Sequence, residues 1–266
     1  MFIQEALKLP PPPRKSCIPN ILKFTLYFQN KIYYNSDMKH HYKKSNLGFT
    51  LAEVLITLGI IGIVAALTIP SIITKYQKKE TAKKLQQAYN LLQQTASLAQ
   101  AEYGDMDTWD CFIKGNMSAE QFANKYIIPF FQNSNIKKYG SWVVAGYKEP
   151  PKLMDGTDTS AYQYYFQISQ GYIYSTFAYD TNDRRIFLIY MDINGTNGKN
   201  RLGRDIFVAT YGYSSKKEYQ YKLHMYNYSQ SDRDTIIKNN CNKTAGGYCG
   251  ALIEMDGWEI KDDYPW

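Results

Sequence analysis

From Val54 to Ile73 the chain carries twenty consecutive residues without a charge. At about 1.5 Å rise per residue, a helix of that length reaches roughly 30 Å, the hydrocarbon thickness of a bilayer. A core helix of a water-soluble domain shows strongly polar residues every third or fourth position, and this run shows none, so it reads as a membrane segment. The rest of the composition is that of a folded chain. With 44% apolar, 15% aromatic and 21% charged residues, it is neither a disordered tail nor a coiled coil. A length of 266 residues suits one core with an extension.

The formal net charge of +7 suggests a nucleic-acid or anionic-membrane partner until its placement is examined. Residues 1–48 hold eight basic and two acidic residues, +6, whereas residues 49–266 hold 23 basic and 22 acidic, +1. The charge therefore belongs to what precedes the apolar run. A secretory signal peptide typically has an apolar region of roughly 7–15 residues and a small-residue cleavage site beyond it. This run is longer, and a carboxylate, Glu53, sits at its start. An uncleaved anchor explains the length but gives no reason for Glu53, which is costly beside hydrocarbon unless paired.

Gly48-Phe49-Thr50-Leu51-Ala52-Glu53 followed by the apolar run resembles the class III signal of type IV prepilins and type II secretion pseudopilins. The resemblance implies that a prepilin peptidase cuts between Gly48 and Phe49 and methylates the new Phe49 amine. It also implies that Glu53 meets the Phe49 ammonium of a neighbouring subunit during assembly. That pairing is physically apt, because the neighbour's charge offsets the cost of the carboxylate and sets axial register. Pro70 lies where pilin helices often carry a kinking proline, and Gly59 and Gly62 allow close helix approach or local melting.

Forty-eight residues make a long leader for a signal that is usually short, hydrophilic and basic. Met38 begins an eleven-residue stretch, Met38–Gly48, of the usual kind, and translation is expected to start there, with residues 1–37 an over-extended reading frame. Lysines lie on both sides of the run: Lys39, Lys43 and Lys44 before it, and Lys75, Lys78, Lys79, Lys83 and Lys84 after it. Counted alone they would place the C-terminal part in the cytoplasm. The prepilin resemblance implies the opposite, a single-pass inner-membrane protein with an extracytoplasmic C-terminal domain.

Beyond Ile73 the helix is expected to continue. Tyr76, Leu85, Ala88, Tyr89, Leu92, Ala96 and Ala99 recur at three- and four-residue spacing, and Gly104 marks a stop. The whole element would run about 50 residues, roughly 75 Å. Ser118-Ala119-Glu120-Gln121 predicts a capping box opening a short helix, with Phe122, Tyr126 and Ile127 inward and its end before Pro129. Strand-like runs follow at 162–168, 172–179, 185–191, 206–213 and 219–226, rich in Tyr, Phe, Ile and Val, with turn residues between them. The expected fold class is α+β: a long N-terminal helix, membrane-spanning in its first half, packed on an antiparallel β-sheet. That is also the pilin fold. The expected organisation is leader 1–48, helix 49–103 and Tyr-rich globular domain 104–266.

Catalysis finds little footing, and no enzyme is expected. After Gly48 one histidine remains, His224, and no H-E-x-x-H, G-x-S-x-G or Walker A pattern is present. The most pointed stretch of the soluble part is 192–207, where Asp192, Asn194, Thr196, Asn197, Asn200 and Asp205 crowd a glycine-rich loop. Oxygen ligands in a tight loop suit calcium, with Asp192, Asn194 and Asp205 the first candidates. The EF-hand pattern is not met, and a long hairpin loop accepting left-handed backbone angles explains the same residues. Similar stretches recur in pseudopilin-like proteins, some of which carry calcium in a C-terminal loop. Cys241 and Cys249 would close a small disulfide loop in an oxidising exterior, leaving Cys111 over or competing; pilin-like proteins often pin their C-terminal region by such a bridge. Trp258 and Trp266 read as packing anchors for a tail of prepilin-like ending. The 25 tyrosines suit core and sheet surface.

Taken with the resemblance, these features predict a structural subunit of a type IV pilus or type II secretion pseudopilus. Its partners would be the prepilin peptidase, other pilin or pseudopilin subunits and the assembly platform in the inner membrane. No nucleic acid is predicted. The rival reading is a membrane-anchored binding protein or adhesin that never polymerises.

Overall fold

The computed structural model describes residues 48–113, 117–132, 135–158, 164–181, 184–212, 221–227 and 232–266. The expected leader, apart from Gly48, lies outside the described residues. One helix, α1, runs from Leu51 to Tyr103 with Pro70 inside it. The chain divides between Leu58 and Gly59 into two units.

In the first unit, Thr50 and Glu53 open α1. In the second, α1 buries Ala82, Leu85, Ala88, Tyr89, Leu92, Thr95, Ala96 and Ala99. Steps of three and four residues align these side chains on one face, so burying that face against a sheet holds the second half of the helix. Tyr76, expected on this stripe, stands 67% exposed: the packed face begins only at Ala82, after the last of the apolar run. Gly104 ends the helix at φ +81, and its N–H reaches the carbonyl of Gln100 at 2.9 Å. A residue with a Cβ adopts that left-handed angle only with strain.

The sheet is a six-stranded antiparallel meander in chain order: β1 (Lys137–Tyr139), β2 (Tyr164–Gln167), β3 (Ile173–Thr181), β4 (Arg184–Asp192), β5 (Ile206–Gly212) and β6 (Lys222–Met225). Five of the six overlap the strands expected from sequence. The sixth, β1, is a short edge strand with two lysines, which no alternating apolar pattern announces.

Alternation along the strands sorts side chains to two faces. Phe187, Ile189 and Met191 of β4 and Phe207, Ala209 and Tyr211 of β5 point into the main core with Leu85, Tyr89 and Leu92 of α1. Ile186, Leu188, Tyr190, Ile206 and Val208 point the other way, into a second cluster with Leu202. Ala145, Tyr147, Tyr165 and Ile173 form a third cluster. Both faces are thus covered, and β5 is buried at every position, which is why its sequence is almost unbroken in apolar residues. Hydrogen bonds tie helix to sheet: the Tyr174 hydroxyl donates to the Ala88 carbonyl at 3.0 Å and Tyr172 donates to Gln87 at 3.2 Å.

Residues 105–113 and 117–131 pack onto this core through Met106, Trp109, Phe112, Phe122, Tyr126 and Phe131. Ser118 caps α2 (Ala119–Phe122) in a reciprocal capping box with Gln121. The helical path then widens into a π-helical turn, Ala123–Ile127, and tightens into a 3₁₀ turn, Ile128–Phe130, that contains Pro129. Helical backbone therefore runs past the expected end, because Pro at the start of a turn lacks only an N–H that needs no partner there. Phe122, Tyr126 and Ile127 are all buried. Phe122 stacks on Phe187 with ring centroids 3.8 Å apart, and Trp109 stacks on Tyr126 at 4.3 Å.

Candidate functional site

The N-terminal signal is built on the first turn of α1. Gly48 is exposed, Phe49 is 87% exposed, and helix begins two residues later, so the Gly48–Phe49 bond lies in accessible chain outside the helix. Glu53 accepts hydrogen bonds from the Thr50 N–H and the Thr50 hydroxyl, both at 2.8 Å. The Glu53 N–H donates back to the Thr50 hydroxyl oxygen at 3.3 Å. This is a capping box, T-x-x-E, satisfying two N–H groups that a helix start leaves without partners. The three-residue spacing from Thr50 to Glu53 is itself the capping signature in the sequence. Glu53 therefore has a local role in addition to any role toward a neighbour.

The stretch that follows is fitted to an apolar medium. Large side chains such as Leu55, Ile60, Ile63 and Leu67 are all more than half exposed, and none of its most apolar window is buried inside the protein. The hydroxyls of Thr57, Thr68, Ser71 and Thr74 each donate to a carbonyl of their own helix, at 2.9 Å. No donor is left facing hydrocarbon, as a spanning helix requires. Gly59 and Gly62 have open space where a Cβ would stand; nothing among the described residues requires glycine there.

The loop between β4 and β5 brings Asp192, Asn194 and Asp205 together. Asp205 accepts four N–H donors: Lys199 N at 2.8 Å, Asn200 N at 3.0 Å, Arg201 N at 3.3 Å and Asn194 Nδ2 at 3.3 Å. Asp192 accepts from the Tyr147 hydroxyl at 2.6 Å and from Asn194 N at 3.1 Å. Burial pushes the Asp192 carboxyl well above the usual carboxylate range, against those hydrogen bonds. Two amide oxygens, Asn194 Oδ1 and Asn200 Oδ1, are buried and accept no hydrogen bond among the described residues. Gly198, at φ +106, is required: a Cβ there would stand 2.7 Å from Asp205 Oδ2. Asp205→Ala leaves three loop N–H groups unpartnered and is expected to cost about 2–4 kcal/mol in thermal unfolding of the full chain in detergent. A cost under about 1 kcal/mol would remove Asp205 as the organiser of the loop.

The C-terminal segment locks against this loop. Cys241 and Cys249 form a disulfide, Cα to Cα 4.8 Å, and the bonded Cys249 begins α3 (Cys249–Met255). A Cβ on Gly203 would meet Cys249 Sγ at 2.7 Å, so the disulfide packs directly on the loop. The Tyr264 hydroxyl donates to the Gly203 carbonyl. Trp258 lies 5.6 Å from the Tyr89 ring, and Arg204 sits 5.0 Å over the Trp266 ring. A cavity of about 280 Å³ remains between α1, the loop and Trp266, with Lys84, Lys199 and Arg204 on its wall.

Arg233 fastens the tail. It forms a forked pair with Asp256 at 2.7 and 2.9 Å and another with Asp263 at 2.8 and 2.9 Å, while Lys261 adds a bond to Asp256 at 2.7 Å. Burial of Asp256 opposes its ionisation, but the bonds from Arg233 and Lys261 outweigh it and hold the carboxyl below its ordinary range. The Arg233 bond depresses Asp263 as well. A carboxyl depressed by folding contributes stability that is complete above the unfolded value of about 3.9 and is lost as pH falls through the folded one. Thermal midpoints are therefore expected to fall below about pH 4, and Asp256→Asn to flatten that acid limb. An acid limb of unchanged slope in the variant would show that the cluster does not carry it.

Cys111 is buried, and burial pushes its thiol up to about 12, so at neutral pH it is a packed thiol rather than a nucleophile. His224 lies on β6, half-buried, and burial lowers its pKa.

A signal for N-terminal processing, a helix apolar enough to cross a membrane and a helix-on-sheet fold fit a type IV pilin-like protein. Residues 43–69 match the prokaryotic N-terminal methylation motif, which covers Gly48, Phe49, Glu53 and most of the apolar run. Over residues 71–266 the chain matches the family described as Family of unknown function (DUF6613), and it belongs to that family. Neither the curated proteins nor the solved structures include a match.

Proposed function

We propose that this chain is a structural subunit of a type IV pilus or type II secretion pseudopilus, cleaved between Gly48 and Phe49 and assembled through its apolar helix. In this reading it is inserted in the inner membrane with the sheet domain outside the cytoplasm, and its work is packing rather than catalysis. The observation that carries it is the join of the methylation motif to a helix whose apolar side chains are exposed on all sides. Such a surface needs lipid before assembly and neighbouring helices after it.

Glu53 separates this reading from a membrane-anchored binder. Glu53→Gln keeps an acceptor for the capping box, since Gln serves there as well as Glu, but removes the charge that would meet a neighbour's Phe49 ammonium. We expect Glu53→Gln to remain membrane-inserted and processed, shown by mass spectrometry of methylated Phe49, and to disappear from sheared filaments. Wild-type incorporation by the Gln variant would favour the anchored binder.

The Asp192–Asp205 loop acts in this reading as a structural hairpin held by Asp205, whose oxygens already receive four N–H donors. Millimolar calcium is then expected to leave the thermal midpoint unchanged relative to chelator. A rise of several degrees would instead assign the orphan oxygens of Asn194 and Asn200 to calcium.

A further inference from the structure

Five lysines follow the apolar run, and the structure divides them. Lys78 turns to the C-terminal segment, 3.2 Å from the Lys261 carbonyl and 3.5 Å from Asp262. Lys84 pairs with Glu80 at 2.8 Å. Lys75, Lys79 and Lys83 are exposed and make no ion pair among the described residues. They recur every fourth residue, so they share one side of α1. Tyr76, 67% exposed, and Ile72, 62% exposed, stand beside them.

We infer that Lys75, Lys79 and Lys83 form a docking stripe for the phosphates of anionic phospholipids in the leaflet where the span ends. The inference rests on the membrane reading given above. Two observations favour lipid as the occupant: the stripe is continuous with the uncharged run, and its charge complements phosphate. Lys75 stands two residues beyond Ile73, and Lys83 lies about 12 Å further along the axis. The headgroup layer adds roughly 5–7 Å beyond the hydrocarbon, and the surface potential persists for a Debye length of about 8–10 Å. Lys75, about 3 Å beyond Ile73, thus falls among the headgroups, and Lys79 and Lys83, about 9 and 15 Å beyond it, fall within their field. An exposed Tyr beside them suits the same layer. The stripe would hold a subunit at the membrane until assembly lifts it out, and lifting would break these contacts.

The test uses the full chain in nanodiscs of equal phosphatidylglycerol and phosphatidylcholine, with retained lipid counted by native mass spectrometry. Wild type is expected to enrich phosphatidylglycerol, and preference to weaken about fivefold per lysine removed, reaching the bulk ratio in Lys75→Gln/Lys79→Gln/Lys83→Gln. The control Lys78→Gln/Lys84→Gln is expected to keep the enrichment. No enrichment in wild type overturns the proposal, as does enrichment that survives the triple substitution. So does a triple variant that keeps its lipid but loses cross-linking to a second copy, since the stripe would then face protein. Retention in carbonate-washed membranes is measured alongside. Wild type that washes off refutes the membrane reading and the stripe with it, whereas retained wild type without lipid preference refutes the stripe alone.

Discussion

Gly48→Val is expected to leave the chain unprocessed, with no mature product of 218 residues beginning at Phe49. The substitution is a clean probe. Gly48 is exposed, lies outside α1, and has nothing within 4 Å of where a Cβ would stand. Among the described residues the fold therefore gives no reason for glycine at this position, whereas the proposed cleavage after Gly48 would. Circular dichroism should be unchanged while the precursor persists on gels and in N-terminal mass spectrometry. Normal cleavage of the valine variant would show that the Gly48–Phe49 bond is not the one recognised. Combined with Glu53→Gln, it separates processing from assembly, because the first variant should stop before methylation and the second after it.

Phe122→Ala is expected to be the most damaging single substitution in the sheet domain, at about 3–5 kcal/mol. Phe122 is fully buried, stacks on Phe187, and meets the Tyr211 ring edge-on at 5.4 Å. Truncation removes the ring that joins α2 to β4 and β5 and leaves a cavity that the stacked neighbours cannot close. For a domain of this size the thermal midpoint should fall by roughly 10 °C, while Phe122→Leu should cost about half as much. A shift under about 2 °C for Phe122→Ala would show that the aromatic cluster repacks freely.

Much of the fold was legible because its physics is local. The spacing of Leu85, Ala88, Leu92, Ala96 and Ala99 is that of one helix face, and these residues are the ones buried on the sheet. Ser118 and Gln121 sit at capping distance, and the capping box forms. Tyr76 broke the pattern because periodicity shows which residues share a face but not where along the helix a partner begins. The edge strand Lys137–Tyr139 stayed hidden because it is three residues long with two exposed lysines, too short and too polar to show an alternating apolar pattern. The capping role of Thr50 was written in T-x-x-E but lay inside a motif with a more conspicuous reading.

The sequence by itself determined that this chain has a processing signal, a helix able to cross a bilayer and a sheet-forming domain, since charge, apolar length and residue spacing act within a few turns of chain. Only the tertiary structure decided what contacts far apart in sequence decide. It set Arg233 between Asp256 and Asp263 and laid the Cys241–Cys249 bridge against Gly203. It also committed Lys78 to the C-terminal segment, through the Lys261 carbonyl and Asp262, while leaving Lys75, Lys79 and Lys83 outward. Five lysines in a row of sequence carry the same charge; which of them is available to a partner depends on what the folded chain brings beside each.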